Sequence, residues 1–209
     1  MNTLPVEHLL QLWNITPEWT LFLDRDGVMN VKPDNDYVRN AAQLQWLPGV
    51  PQSIALLNQF FRHTIVVTNQ QGIGKGLMTE QDLKNLFAGM ETDLGNVGAK
   101  IDAWYYCPHL ATDNCLCRKP KVQMALQALT DFGDIDFKKA IMAGDSASDI
   151  EFGKRLGMKT VFIVPSLPML PSGAASSSCR PCPASPAPIG TAAPRASGSA
   201  WASTPPRPT

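Results

Sequence analysis

The chain predicts a three-layer α/β domain over residues 20–164, a mostly parallel sheet with helices on both faces. Three observations carry this. Short apolar runs alternate with longer amphipathic segments from Thr20 onward. Most of the runs are apolar on both faces, as strands covered on both sides must be. Gly and capping residues separate the two kinds of segment.

In chain order, the strands are expected at TLFLD (20–24), HTIVVT (63–68), IDAWYY (101–106), KAIMAGD (139–145) and KTVFIV (159–164). Helices are expected near 50–61, 79–94, 121–132 and 147–156. Thr79 with Asp82 has the spacing of a capping box, which opens the second helix, and Gly157 supplies a stop after the last. Residues 1–19 form an extension read as a short helix beside the first strand. From Pro165 the character changes. Residues 165–209 hold 11 of the 18 prolines and no Asp, Glu or Lys. Such a Pro/Ala/Ser-rich segment has no periodic apolar face and reads as a disordered tail. So abrupt a change of composition is what a shifted reading frame produces.

Composition excludes some functions. Lys plus Arg and Asp plus Glu number 18 each, which gives no electrostatic reason to expect nucleic acid as a partner. No apolar run approaches the roughly 18 residues that span a bilayer, and the first residues lack the basic start of a secretory signal. A cytoplasmic protein acting on a small molecule is the resulting expectation.

In parallel α/β sheets, ligands sit beyond the carboxyl ends of the strands. Asp24, Thr68, Cys107 and Asp145 all fall there. DRDG (24–27) puts Asp24 and Asp26 one residue apart, and a divalent cation would relieve their repulsion. All-oxygen donors suit Mg²⁺, with Asp145 completing the site. TNQQGIGKG (68–76) offers a hydroxyl, amides and backbone N–H groups to a phosphoryl oxygen. In AGDSASDI (143–150), Asp149 follows Asp145 by one helical turn.

The stretch CPHLATDNCLCRKPK (107–121) carries Cys107, His109, Cys115 and Cys117 within eleven residues. Three thiolates and an imidazole form a closed tetrahedral set for Zn²⁺ with no open position, so the zinc is structural. Arg118 and Lys119 follow the last ligand, and the tether would hold both cations against a phosphate. The other pair, Cys179 and Cys182, lies in the tail and is assigned no role.

DRDGVMN, TNQQGIGKG, CRKPK and GDSASD, in this order and spacing, resemble the haloacid dehalogenase superfamily of phosphohydrolases. The C-x-H and C-x-C pairs narrow the resemblance to its zinc-bearing histidinol-phosphate and D,D-heptose 1,7-bisphosphate phosphatases. It implies a Rossmannoid fold with a small zinc-binding loop (107–117) and no large cap domain, which suits a monomer. It also implies a Mg²⁺-dependent phosphoric monoester hydrolase working through an aspartyl-phosphate. Carried over residue by residue, Asp24 is the nucleophile and a Mg²⁺ ligand. Asp26 is the general acid and base, with its backbone carbonyl on the metal. Thr68 and Asn69 bind the phosphoryl group, Lys119 stabilises it, Arg118 contacts substrate, Asp145 ligates Mg²⁺ and Asp149 supports. As general acid, Asp26 needs a raised pKa. CPHL…CRKPKV looks closer to the histidinol-phosphate enzymes, GVMNVKPDNDYV and TNQQGIGKGLMTE to the heptose enzymes. The heptose bisphosphate is the expected substrate, with histidinol phosphate as the alternative. A catalytically inert zinc-stapled interaction module is a third reading. A nucleic-acid 3′-phosphatase is a fourth, opposed by the neutral charge. The family's final strand and helix are not recognisable after the fourth motif.

Overall fold

The computed structural model describes residues 11–34 and 36–164. Five strands, β1 (Thr20–Leu23), β2 (His63–Asn69), β3 (Ala103–Cys107), β4 (Ala140–Gly144) and β5 (Lys159–Phe162), form one parallel sheet. Their order is β3-β2-β1-β4-β5. β1 is therefore central, with Leu21 opposite Thr64 on one side and Ile141 on the other. Its four residues are all buried, as are all five of β4, whereas the edge strand β5 is partly exposed. That gradient explains why β1, β2 and β4 read as continuous apolar runs.

Alternation along each strand divides the core in two. Leu21, Leu23, Val66 and Ile141 face α1 (Val50–Leu57) and α3 (Glu80–Gly95), meeting Ile54, Leu83, Leu86 and Met90. Phe22, Ile65, Val67 and Met142 face the opposite way, toward α4 (Gln123–Phe132) and α5 (Ala147–Arg155), meeting Met124, Ala128 and Phe152. The three expected layers follow. At the start of α3, the Thr79 hydroxyl accepts from Asp82 N at 3.1 Å while Thr79 N donates to the Asp82 carboxylate at 2.8 Å, the capping box read from the sequence.

Four boundaries differ by two residues or more: α1 ends at Leu57, β3 starts at Ala103, α4 starts at Gln123 and β5 ends at Phe162. Asn58, which follows α1, keeps helical backbone angles, and its N–H still donates to Ile54 O at 2.8 Å. Its amide donates to Thr64 Oγ1 at 2.9 Å and accepts from Lys100 N at 2.8 Å, tying the helix end to the approaches of β2 and β3. β3 starts at Ala103 because the Asp102 carboxylate accepts from Thr64 N at 2.8 Å, so regular pairing begins at Ile65–Ala103. One element was missed: the glycine-rich motif after β2 contains a short helix, α2 (Gln71–Gly74).

Residues 1–10 and the whole 165–209 segment, including Cys179 and Cys182, lie outside the described residues. Trp13 and Ile15 pack against the core cluster that holds Leu21 and Leu23. A largely apolar cleft of about 300 Å³ lies against the same sheet face, lined by Leu21, Leu23, Ile54, Ile141, Val161 and Ile163 among others. Among the described residues, no helix is long and apolar enough to cross a membrane.

Candidate active site

The carboxyl ends of β1, β2, β3 and β4 meet at one edge of the sheet, where a cleft of about 630 Å³ opens. Asp24, Asp26, Thr68, Asn69, Arg118, Lys119 and Asp149 all line it. The residues expected to act together are thus brought together from segments more than a hundred positions apart.

Asp24 continues β1, its N–H donating to Ala143 O at 2.9 Å. Lys119 Nζ lies 2.8 Å from Asp24 Oδ1 and 2.6 Å from Asp149 Oδ1, and donates to Val67 O at 2.7 Å. Lys119 is buried, so a solvated, freely swinging ammonium is excluded. Burial works against its charge, but the two carboxylates outweigh burial and its pKa is raised. Burial, together with the Asp149 charge, pushes the Asp24 pKa up despite the opposing pull of Lys119. Asp149 is doubly committed: its other oxygen accepts from Ser146 N at 3.0 Å and Ser146 Oγ at 2.6 Å, capping α5. It anchors Lys119.

Asp26 departs from expectation. Arg25, fully buried, grips its carboxylate with Nη2 at 2.8 and 2.7 Å. Asn30 Nδ2 donates at 3.0 Å and Gln70 Nε2 at 2.9 Å. Burial alone would raise the Asp26 pKa, but the Arg25 charge and these hydrogen bonds outweigh it, and the net shift is downward. In this arrangement the Asp26 carboxylate is held in its ionised form. Donating a proton requires its carboxyl to break from Arg25. The sequence offered no sign of this, since an arginine between two acids reads as solvated.

The oxygens fit a hard divalent cation. Asp24, Asp145 and Asp149 each bring a carboxylate oxygen within 4.8 Å of the others. Asp145 Oδ1 is buried without a hydrogen-bond partner, while its Oδ2 accepts from Lys32 Nζ at 2.9 Å. A buried carboxylate oxygen with no donor is costly unless a cation serves it. Asp149 Oδ1 likewise has no hydrogen-bond partner, although Lys119 Nζ stands 2.6 Å away. Its Oδ2 is taken by Ser146, whereas Asp24 keeps one oxygen clear of Lys119 and Asp145 keeps Oδ1 clear of Lys32. Gly27 makes the approach possible: it has φ +85°, and a Cβ there would lie 2.2 Å from Asp145 Oδ2.

Cys107, His109, Cys115 and Cys117 converge as expected, with one donor atom of each within 4.8 Å of the rest. Cys117 Sγ is 3.0 Å from Cys107 Sγ, 3.6 Å from Cys115 Sγ and 3.2 Å from His109 Nδ1. No disulfide links them. Lys121 Nζ binds the same loop, donating to Asn114 O at 2.9 Å and Cys115 O at 2.6 Å.

The Asn69 side chain is engaged by Lys119. Its Oδ1 accepts from Lys119 N at 3.0 Å and its Nδ2 donates to Lys119 O at 3.3 Å. The amide clamps the main chain of the lysine at the wall of the cleft. Gln70 was passed over and is central: its Nε2 donates to Asp26 Oδ2 and to Thr68 Oγ1, both at 2.9 Å. Lys32, Tyr37, Gln71 and Lys75 also line the cleft. Lys32 and Tyr37 lie in GVMNVKPDNDYV (27–38), a stretch in which the sequence pointed to no individual site residue.

A HAD-hydrolase-like family model matches residues 116–164. The chain is 41% identical over 134 residues to the D-glycero-alpha-D-manno-heptose-1,7-bisphosphate 7-phosphatase of Mycobacterium bovis, covering 64% of this chain and 70% of that one. It is 37% identical over 151 residues to the D-glycero-beta-D-manno-heptose-1,7-bisphosphate 7-phosphatase of Vibrio cholerae, covering 69% and 80%. Among solved structures it is similar to the D,D-heptose 1,7-bisphosphate phosphatase of B. bronchiseptica complexed with magnesium and phosphate. The TM-score is 0.64 at 32% identity, over 68% of this chain and 78% of that one. Four converging acidic and basic motifs on one sheet edge, and relatives at this level of identity, lead to one conclusion: the chain belongs to the haloacid dehalogenase-like phosphatases, in the family of the heptose-1,7-bisphosphate 7-phosphatases.

Proposed function

We propose that this protein removes the 7-phosphate of D-glycero-D-manno-heptose 1,7-bisphosphate through a phosphoryl intermediate on Asp24. The observation that carries this is the Asp24–Lys119–Asp149 arrangement at the head of the cleft, with Lys119 fixed between the two carboxylates. One Asp24 oxygen is held by the ammonium, and the other is left to attack phosphorus. In the first step the new Asp24 O–P bond forms as the bond to the sugar oxygen breaks; Asp26, once its carboxyl has broken from Arg25 and taken up a proton from solvent, delivers that proton to the same oxygen. In the second, Asp26 takes a proton from water as the water oxygen displaces Asp24 from phosphorus. Dividing the reaction this way replaces one difficult displacement by two easier ones. Lys119 cannot retreat from the developing charge, because Val67 O and Asp149 hold it. Thr68, fixed by Gln70, and Arg118 would bind the phosphoryl group and the substrate.

Asp24, Asp145 and the Asp26 carbonyl would hold Mg²⁺, which supplies positive charge to the phosphoryl oxygens. Cys107, His109, Cys115 and Cys117 would hold Zn²⁺ as a closed structural site. Gly27→Ala tests the first assignment. Forcing an L-residue into φ +85° costs about 1–2 kcal/mol, and the added methyl displaces Asp145. The half-saturating Mg²⁺ concentration is expected to rise about tenfold or more, in a titration of phosphatase activity. An unchanged Mg²⁺ requirement would remove Asp145 from the metal site.

The similarity to heptose enzymes supports the heptose reading over histidinol phosphate. The deciding experiment compares kcat/KM for the two compounds in Mg²⁺. The heptose bisphosphate is expected to exceed histidinol phosphate by about 100-fold, and the reverse order overturns the proposal. No turnover of any phosphomonoester would favour the inert zinc-stapled module.

A further inference from the structure

Gln70 is fully buried and does not line the cleft, yet the two side chains it binds do. Its Nε2 donates to Asp26 Oδ2 and to Thr68 Oγ1, both at 2.9 Å. That Asp26 oxygen also accepts from Arg25 Nη2 at 2.7 Å. An oxygen so engaged can only accept, so the nitrogen of the Gln70 amide, and not its carbonyl oxygen, faces Asp26. The second hydrogen of the nitrogen then falls to Thr68, and the sense of that bond is settled: Gln70 donates and the hydroxyl accepts. Among the described residues Thr68 Oγ1 has no other hydrogen-bond partner, so its own proton is unspent.

The orientation comes at a cost. Gln70 Oε1 is buried with no hydrogen-bond partner, and a buried carbonyl without a donor is destabilising. Turning the amide over would set that oxygen against the Asp26 carboxylate, which is worse. The two bonds of the nitrogen therefore decide how the side chain sits. The backbone keeps it in place. Gln70 N donates to Cys107 O at 2.7 Å and Gln70 O accepts from Ile73 N at 3.2 Å, which fixes the residue between the end of β3 and the start of α2.

We propose that Gln70 is a positioning residue for phosphoryl transfer: by donating to Thr68 Oγ1 it leaves the Thr68 proton to point into the cleft, where a phosphoryl oxygen receives it. The inference rests on the function proposed above, because it takes Thr68 as a donor to the phosphoryl group. A hydroxyl has one proton and two lone pairs and rotates to suit its neighbours. Unheld, the Thr68 hydroxyl could spend its proton on a protein acceptor and turn a lone pair toward the phosphoryl oxygens, which would repel them. A donor aimed beforehand at the oxygens where charge builds needs no reorganisation during the reaction.

The test is a cycle of Gln70→Met, Thr68→Val and the double variant on the full chain, with p-nitrophenyl phosphate in Mg²⁺. Nitrophenolate leaves without a proton, and kcat/KM reports only the steps through its departure. Loss of the Gln70 bond to Asp26 is therefore silent in this measurement. Thr68→Val is expected to lower kcat/KM about 100-fold. Gln70→Met is expected to lower it about tenfold or more in the parent, but less than about threefold where Thr68 is already valine. A general loosening of the site would instead multiply the two losses. The Tm of Gln70→Met should stay within about 3 °C of the parent's, because the apolar side chain also removes the unpaired carbonyl. Gln70→Glu keeps the size, places an acceptor against Thr68 and should show the same dependence on the hydroxyl. Parent-like kcat/KM in both Gln70 variants, or a loss that multiplies with that of Thr68→Val, overturns the role. No heptose compound enters the cycle. Parent protein that hydrolyses p-nitrophenyl phosphate but not the heptose bisphosphate fails the substrate assignment, while the cycle still decides the part of Gln70.

Discussion

Asp24→Asn is expected to lower kcat by at least about 10⁴-fold on every phosphomonoester, because it removes the nucleophile itself. The variant retains the shape of the side chain and cannot form the O–P bond. Its fold is expected to survive. Lys119 still has Asp149 at 2.6 Å and Val67 O at 2.7 Å, so the buried ammonium stays compensated. Asp24 is also a poor place for a carboxylate on grounds of stability alone, since burial and Asp149 disfavour its charge. An asparagine there should leave Tm unchanged or raise it, the usual sign of a group retained for chemistry rather than for stability. The measurements are steady-state turnover in Mg²⁺, thermal unfolding, and mass spectrometry of protein quenched in acid during turnover. The parent should carry one added phosphoryl group on the peptide containing Asp24, and the variant none. Activity within tenfold of the parent, or an adduct mapped elsewhere, would move the nucleophile off Asp24.

What the sequence revealed of this site follows from the physics of each residue. The sheet was legible because β1, β2 and β4 are covered on both faces, which leaves their centres apolar and confines polar residues to the ends. The metal and nucleophile positions were legible because ligand sites in such sheets lie at strand ends, and the acids fall there. The 107–117 cluster was legible because its four soft donors are close in sequence as well as in space. Contacts between distant segments left no such trace. Asn69 meets the Lys119 main chain across 50 positions, and nothing in TNQQ distinguishes an amide facing a phosphate from one facing another loop. Arg25 follows the same logic: the turn after β1 buries it, and no local periodicity announces that. Asp26 shows the limit of arguing from chemistry alone. The reaction requires a proton donor, but the site as folded surrounds that carboxylate with donors. α2 was missed because its two glycines read as loop, whereas close packing against Tyr37 and Pro108 is what selects them.

Loss of metal from the Cys107–Cys117 loop is expected to abolish most of the activity although none of its four donors lines the catalytic cleft. The loop is the platform for the cationic side of the site. Arg118 and Lys119 follow Cys117 directly. Cys107 O accepts from Gln70 N at 2.7 Å, and Pro108 O from Gly74 N at 2.9 Å, so the loop also supports the segment that positions Thr68 and Asp26. Without a cation, three sulfurs 3.0 to 3.6 Å apart have only weak thiol contacts to hold them. Burial keeps Cys107 protonated in that state, raising its pKa far above the usual thiol range. Cys115 and Cys117 are only partly buried, at the margin of the apolar cluster that holds Cys107, so packing alone supplies little of a metal's hold. A displacement of even about 1 Å at Lys119 is enough to cost on the order of 100-fold in rate. Cys117→Ser, or prolonged exposure of the parent to a strong chelator, should therefore lower kcat by about 100-fold or more and reduce Tm. After chelation, Zn²⁺ should restore both and Mg²⁺ neither, because magnesium does not favour thiolate ligands. Protein shown by elemental analysis to lack zinc yet fully active in Mg²⁺ would separate the loop from catalysis. In that event the Asn69 clamp on the Lys119 main chain and the two carboxylates on its ammonium would have to hold the lysine unaided.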